Sequence, residues 1–191
     1  MVTPQTKLTM SSQSKQTSNN SISSNNTHSL KNTWVLWGHL PHDSDWSLKS
    51  YKIIAKFALI EDAVAITEIL PEALIKNCML FVMREGITPM WEDVQNRNGG
   101  SFSYKVSNKN VTDVWKDLTY VLVGETISAN SGFTNSVTGI TISPKKNFCI
   151  IKIWLTSCEN QNPALVTQEL TGISSQGCLF NKHDKHADFK I

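Results

Sequence analysis

Polar and apolar positions divide this chain into a long polar stretch and an ordered remainder. Residues 1–27 are rich in Ser, Asn, Gln and Thr, as in Ser11-Ser12-Gln13-Ser14. Such a segment buries too little apolar surface to offset its ordering entropy, and it is expected to be disordered. Its Lys7 and Lys15 have no acidic partners, which leaves either a weak attraction for RNA or an inert tail. From His28 onward the pattern tightens. Trp34-Val35-Leu36-Trp37 predicts a strand, a polar loop over 38–45 delivers Trp46, and 49–57 alternates as a second strand. Residues 61–70 carry Val64, Ile66 and Ile69 at helical spacing and stop at Pro71. A short apolar strand over 79–83 comes next, and Asn98-Gly99-Gly100 turns the chain into a strand over 102–106. A second helix runs from Thr112 as N-cap to Val123, with Gly124 beyond its end. Strands over 137–142 and 148–155 pair about 143–147. Asn162-Pro163 opens a third helix ending by Gly172, and 177–180 reads as a last strand. Mostly antiparallel strands interrupted by three helices predict an α+β domain over 28–191, one curved sheet with helices on its outer face.

The run from Arg84 to Asp93, Arg-Glu-Gly-Ile-Thr-Pro-Met-Trp-Glu-Asp, carries the most chemistry. In a regular strand Trp91 and Glu92 would face opposite ways, but Pro89 favours an irregular connection that can turn both into one cleft. An indole face attracts a cationic ring, and an ionised carboxylate accepts two parallel N–H donors. N7-methylguanine, a positively charged purine offering N1–H and N2–H, asks for both. Taken alone, such a pair far more often marks a packing tryptophan beside a solvated acid, and the surrounding sequence has to shift that balance.

Composition narrows the classes. A length of 191 residues suits one domain plus an appendage, and a net charge of +2 is too small for a duplex DNA binder. Six tryptophans concentrate the aromatic content in indole. Cys78, Cys149, Cys158 and Cys178 show neither CxxC pairing nor zinc-like spacing with histidine, so free thiols in a reducing compartment are expected. There is no apolar run of membrane-spanning length and no signal-peptide pattern, which points to a soluble cytoplasmic protein. No cofactor or metal is expected. GxxxxGK[ST], GxSxG and HxE with PCxxC are absent, which argues against an enzyme acting on nucleotides.

Five segments in order resemble the eukaryotic translation initiation factor 4E family, the messenger-RNA cap-binding proteins. They are Trp34-Val35-Leu36-Trp37; Trp46 with Lys56-Phe57 and Ile60-Glu61-Asp62; the Arg84 run with Asn98-Gly99-Gly100; the stretch from Trp115 to Gly124-Glu125; and the stretch from Gly139 to Ile153-Trp154. The resemblance implies a cupped antiparallel sheet backed by three long helices, with the cap pocket on the concave side. It implies that Trp46 and Trp91 sandwich the methylated base, Glu92 pairs with N1–H and N2–H, and Trp154 lies near the N7 methyl. Trp34, Trp37 and Trp115 are left as packing residues.

On the phosphate side the chain departs from the family pattern. Lys145 stands where an arginine is usual and Ile150 where a lysine is usual. Lys152 shares the strand parity of Trp154, so Lys145, Lys146 and Lys152 are the expected phosphate ligands, against an ordinary solvated hairpin. Lys182, His183 and Lys185 occupy the place of a loop that would read the second nucleotide, or else form a polar chain end. On the back surface, His28, Ile60 and Asp117 are acceptable matches for the site that recruits the family's 4G scaffold. There Val64 replaces a tryptophan, while Lys116 and Tyr120 replace leucines. The expected partners are therefore capped messenger RNA and a changed 4G-like scaffold, with the protein otherwise monomeric. A repressor-like homologue that binds caps without the usual scaffold is the alternative.

Overall fold

A computed structural model describes residues 27–167 and 170–183. The expected disordered tail up to residue 26, and Lys185, lie outside the described residues. Seven strands form one antiparallel, curved and unclosed sheet in the order β2-β1-β3-β5-β6-β4-β7. They are β1 (Ser29–His39), β2 (Lys52–Leu59), β3 (Met79–Arg84), β4 (Gly100–Ser107), β5 (Val137–Pro144), β6 (Phe148–Leu155) and β7 (Leu179–Lys182). The helices are α1 (Ile60–Ile69), α2 (Glu72–Asn77), α3 (Val111–Val123) and α4 (Ser131–Ser136).

Strand parity sorts the side chains into two layers. Leu80 and Val82, Ile140 and Ile142, and Ile151 and Ile153 join Trp34, Leu36 and Phe102 in the main core, which α3 covers. The alternate positions Phe81, Met83 and Trp154 form a second cluster with the partly buried Trp37, Tyr51, Met79 and Ile87. Across β3, β5 and β6, Phe81 pairs with Thr141 and Thr141 with Lys152, so this second face has a continuous floor. Gly139, opposite Trp154, sits at a register shift. A Cβ there would fall 2.4 Å from the Val82 carbonyl oxygen and 2.5 Å from the Met83 sulfur.

Several expectations need correction. α3 buries Val111, Val114, Trp115, Leu118 and Leu122, as its spacing predicts, but Asn110 rather than Thr112 precedes it as N-cap. In α1 the buried residues are Ala63 and Thr67; of the apolar residues at helical spacing, Ile66 packs against the core, while Val64 and Ile69 are exposed. Among the described residues, the segment of the third predicted helix holds one 3-10 turn, Pro163–Leu165, although Asn162 does cap it by accepting from the Ala164 N–H at 3.0 Å. The short helices α2 and α4 were not predicted. Strand β2 starts later than expected because a 3-10 turn, Leu48–Ser50, precedes it.

α3 stops at Gly124, and the next residue, Glu125, is left-handed at φ 58°. A non-glycine residue there is unfavourable unless its surroundings hold it. Arg84 does so, donating from Nη1 and Nη2 to the Glu125 carboxylate at 2.7 and 3.0 Å, while Asn32 donates to it at 2.7 Å.

Candidate functional site

Two loops rise over the second face of the sheet. The first joins β1 to β2 and carries Trp46. Within it the Asp43 carboxylate accepts from the Asp45 N–H at 2.9 Å, and the Asp45 carboxylate from the Ser47 N–H at 2.8 Å. These side-chain turns fold a short polar segment without strand partners. The bond from the Ser47 N–H, with a smaller effect of the nearby Lys49, holds the Asp45 carboxyl below its usual value. The Trp46 indole is 52% exposed, and one of its faces is covered. The His39 ring lies parallel to it, with centroids 4.2 Å apart and planes 2° apart.

The second loop joins β3 to β4 and carries Trp91 and Glu92, both exposed. Asp93 and Asn96 organise it. Asp93 Oδ2 accepts from the Thr88 N–H at 2.8 Å and from its hydroxyl at 2.7 Å, while Oδ1 accepts from the Gln95 N–H at 2.9 Å. The fully buried Asn96 amide donates to the carbonyls of Thr88 at 3.1 Å and Met90 at 2.8 Å. The loop closes on Gly99, where a Cβ would fall 1.7 Å from the Leu155 carbonyl oxygen, so only glycine fits.

Between the loops lies a cleft of about 950 Å³. Trp46, Trp91, Glu92, Trp154, Lys145 and Lys152 all line it, with Tyr51 and Phe81 among the apolar residues at its wall. Trp154 is 6% exposed, held by Phe81 and Met83. Burial, then the Glu92 charge, pushes the Tyr51 phenol up to about 12. Burial, then the neighbouring Lys145 charge, lowers the Lys152 ammonium. Two cations share one end of the cleft, an arrangement that an anion relieves.

The remaining candidates fall elsewhere. Lys146 is exposed in the β5–β6 turn and is not among the lining residues. Lys182 is exposed on the edge strand β7. His183 is buried instead of facing solvent: its ring lies 4.7 Å from that of Trp154, and its Nδ1–H donates to the Asn96 carbonyl at 2.8 Å. His39, Tyr51 and Asn96 were not anticipated. His39 shares the parity of Trp37 on β1, the one signal in the sequence that could have flagged it.

On the opposite face, Ile60 and Val64 of α1 are 46% and 42% exposed, Asp117 is exposed and Tyr120 half-buried. His28 precedes β1 and donates from Nδ1 to Glu61 at 2.6 Å. Glu68 of α1 accepts from Lys116 at 2.6 Å and from the Tyr120 hydroxyl at 2.5 Å, so a polar bridge spans α1 and α3.

A family model described as eukaryotic initiation factor 4E matches residues 29–189. The chain is 28% identical over 175 residues to translation initiation factor 4E-2 of Schizosaccharomyces pombe, covering 85% of this chain and 68% of that one. It is also 28% identical over 140 residues to human translation initiation factor 4E, covering 70% of this chain and 63% of the human protein. Among solved structures, Caenorhabditis elegans eIF4E-3 in complex with the 4E-binding protein Mextli and a cap analogue aligns with a TM-score of 0.72 and 21% identity. That alignment covers 86% of this chain and 98% of the other.

Proposed function

The chain belongs to the eukaryotic initiation factor 4E family, and from that premise we propose that its cleft binds the 7-methylguanosine cap of messenger RNA. The observation that carries this reading is the convergence of Trp46, Trp91 and Glu92, from two separate loops, on one cleft shared with Trp154 and Lys152. In this reading the cationic base stacks between the indoles of Trp46 and Trp91. Each desolvated indole–cation contact is worth roughly 0.5–2 kcal/mol, which favours methylated over plain guanine. Glu92 accepts the base N1–H and N2–H in charge-assisted bonds worth roughly 1.5–3 kcal/mol each. Trp154 lies beside the N7 methyl group. Lys145 and Lys152 receive the phosphates, with Lys146 adding charge from the turn. Lys182 and the segment through Lys185 bear on the second nucleotide, and His183 acts from beneath Trp154.

The role implied is recognition, not turnover: delivery of capped messenger RNA to translation initiation in the cytoplasm, through a 4G-like scaffold on the back surface. One observation favours a repressor-like variant that binds caps without the usual scaffold. The Lys116–Glu68–Tyr120 bridge lies across α1 and α3, where the family's apolar contact is expected.

Titration with 7-methyl-GTP and with GTP, followed by tryptophan fluorescence, tests the reading. Strong quenching by the methylated nucleotide alone supports it, and equal weak binding of both sinks it.

A further inference from the structure

The stacked pair His39–Trp46 stands outside the roles assigned above. His39 is the last residue of β1, paired with Met79 of β3 and 2% exposed, so the sheet fixes its backbone and burial fixes its ring. From that position it makes two contacts with the loop. Its Nε2–H donates to the Asp45 carbonyl at 2.9 Å, one residue before Trp46, and its ring covers one indole face. The carbonyl can only accept, so the proton sits on Nε2. Tyr51 closes the group edge-on, 5.1 Å from His39 and 6.5 Å from Trp46, and leans on Phe81 at 5.5 Å.

Resting on the cap-binding reading, we propose that His39 is a positioning residue that presents the uncovered face of Trp46 to the base and thereby sets the preference for N7-methylguanine over guanine. A half-exposed indole on a loop without strand partners would otherwise sample several rotamers. The attraction between a ring face and a cation depends on the cation lying over the face, so a wandering indole loses the charge-dependent part of the contact first. Ordinary stacking, which both bases share, survives more disorder. Histidine joins the two requirements in one side chain: phenylalanine would keep the stack without the bond to Asp45, and glutamine could keep the bond without the stack.

The test uses the full chain with His39→Ala, His39→Gln and His39→Phe. Affinities for 7-methyl-GTP and GTP are measured together with ¹⁵N relaxation of the Trp46 indole N–H in the ligand-free protein. The expected result for His39→Ala is a drop on the order of tenfold in the methyl-GTP to GTP affinity ratio, with a mobile indole. His39→Phe should restore most of the ratio and the indole order, and His39→Gln should restore neither. An unchanged ratio with a rigid indole in His39→Ala overturns the proposal. So does an equal loss for both nucleotides that tracks a lowered folded fraction. If the unaltered protein fails to distinguish the two nucleotides, the cap reading fails instead, and the ligand-free relaxation alone decides whether His39 orders Trp46.

Discussion

Asn96 holds Met90: its buried side-chain amide donates to the Met90 carbonyl at 2.8 Å, immediately before Trp91. The same nitrogen reaches the Thr88 carbonyl at 3.1 Å, and the Asn96 carbonyl accepts from Gly99 N–H and His183 Nδ1–H. One residue therefore ties the Trp91 loop to the end of the described chain. Asn96→Ala removes one donor from each loop carbonyl, although Thr88 keeps the Met90 N–H and Met90 the Asp93 N–H, and should cost roughly 0.5–1.5 kcal/mol of stability per lost bond. Affinity for 7-methyl-GTP should fall in addition, at temperatures where the variant is fully folded. Asn96→Asp should not rescue it, because a carboxylate has no donor for either carbonyl. Denaturant unfolding and nucleotide titration of both variants check this.

Glu92 is expected to matter through its charge. Glu92→Gln keeps the shape but exchanges one acceptor oxygen for a donor that would face the base donors. Its affinity for 7-methyl-GTP should fall about tenfold or more. Quenching at saturation should persist, since both indoles remain. A variant that binds as tightly as the unaltered protein would remove Glu92 from base pairing.

The legibility of the fold in the sequence differs from element to element. β3, β5 and β6 were legible because each sends alternate apolar residues into the main core, and Phe81 and Met83 of β3 with Trp154 of β6 add a second apolar layer. α3 was legible because it is long and buries one stripe. The 3-10 turn at Pro163–Leu165 carried the cap and proline of a helix start, but those signals fix only a first turn and leave the residues beyond it undetermined. α1 was legible as a helix but only partly in its facing: Ile66 packs against the core with the small and polar Ala63 and Thr67, while larger Val64 and Ile69 stay outside. Trp46, Trp91 and Glu92 stood out through their motif context. His39 and His183 did not, because each lies against a tryptophan that only the folded loops and sheet bring beside it.

The Arg84–Glu125 pair makes a prediction about stability. Its side chains are 16% and 10% exposed, and Arg84 also donates to the Val137 carbonyl at 2.8 Å and lies 4.6 Å over the Trp34 ring. Arg84→Met strands a mostly buried carboxylate and should cost roughly 3–5 kcal/mol. Burial pushes the Glu125 carboxyl up, but the bonds and charge from Arg84, with the bond from Asn32, outweigh it and leave the net value below 4.5. Because the folded value is the lower one, this stabilisation is complete above the ordinary carboxylate range and fades as pH falls through the folded value. Glu125→Gln should therefore be less stable at neutral pH and show a shallower loss on acidification. Unfolding measured across that acid range checks it.

Lys152 should give nucleotide binding an alkaline limit. Burial and Lys145 hold its ammonium below the ordinary 10.5, so the folded chain releases that proton earlier than the unfolded one. Stability should then rise with pH between the lowered and ordinary values, where the unfolded state binds more protons. Phosphate binding runs the other way, since an anion favours the charged lysine and is lost as the lysine deprotonates. Affinity for 7-methyl-GTP should fall as pH rises through the lowered value, while Lys152→Met should bind more weakly at neutral pH and lack that step. Tyr51, at about 12, stays protonated across this window. The nucleoside 7-methylguanosine, which has no phosphates, serves as the control and should show no difference between the two proteins in the shape of the profile.

The back surface should discriminate among partners by what bridges its helices. An apolar helix-in-groove ligand needs an exposed apolar seam with large anchors. Here α1 offers only Ile60, Val64 and Ile69, while Glu68 occupies Lys116 and Tyr120. A peptide that docks on such a seam must leave this polar bridge in place or break it, and either course weakens binding. The double variant Val64→Trp with Lys116→Leu enlarges the anchor and removes one arm of the bridge. It should bind a 4E-binding peptide of the ordinary type at least about tenfold more tightly than the unaltered chain, with 7-methyl-GTP affinity unchanged on the opposite face. Calorimetry with both proteins decides it. Tight binding by the unaltered chain would mean that the bridge yields readily and that the ordinary scaffold is a partner after all.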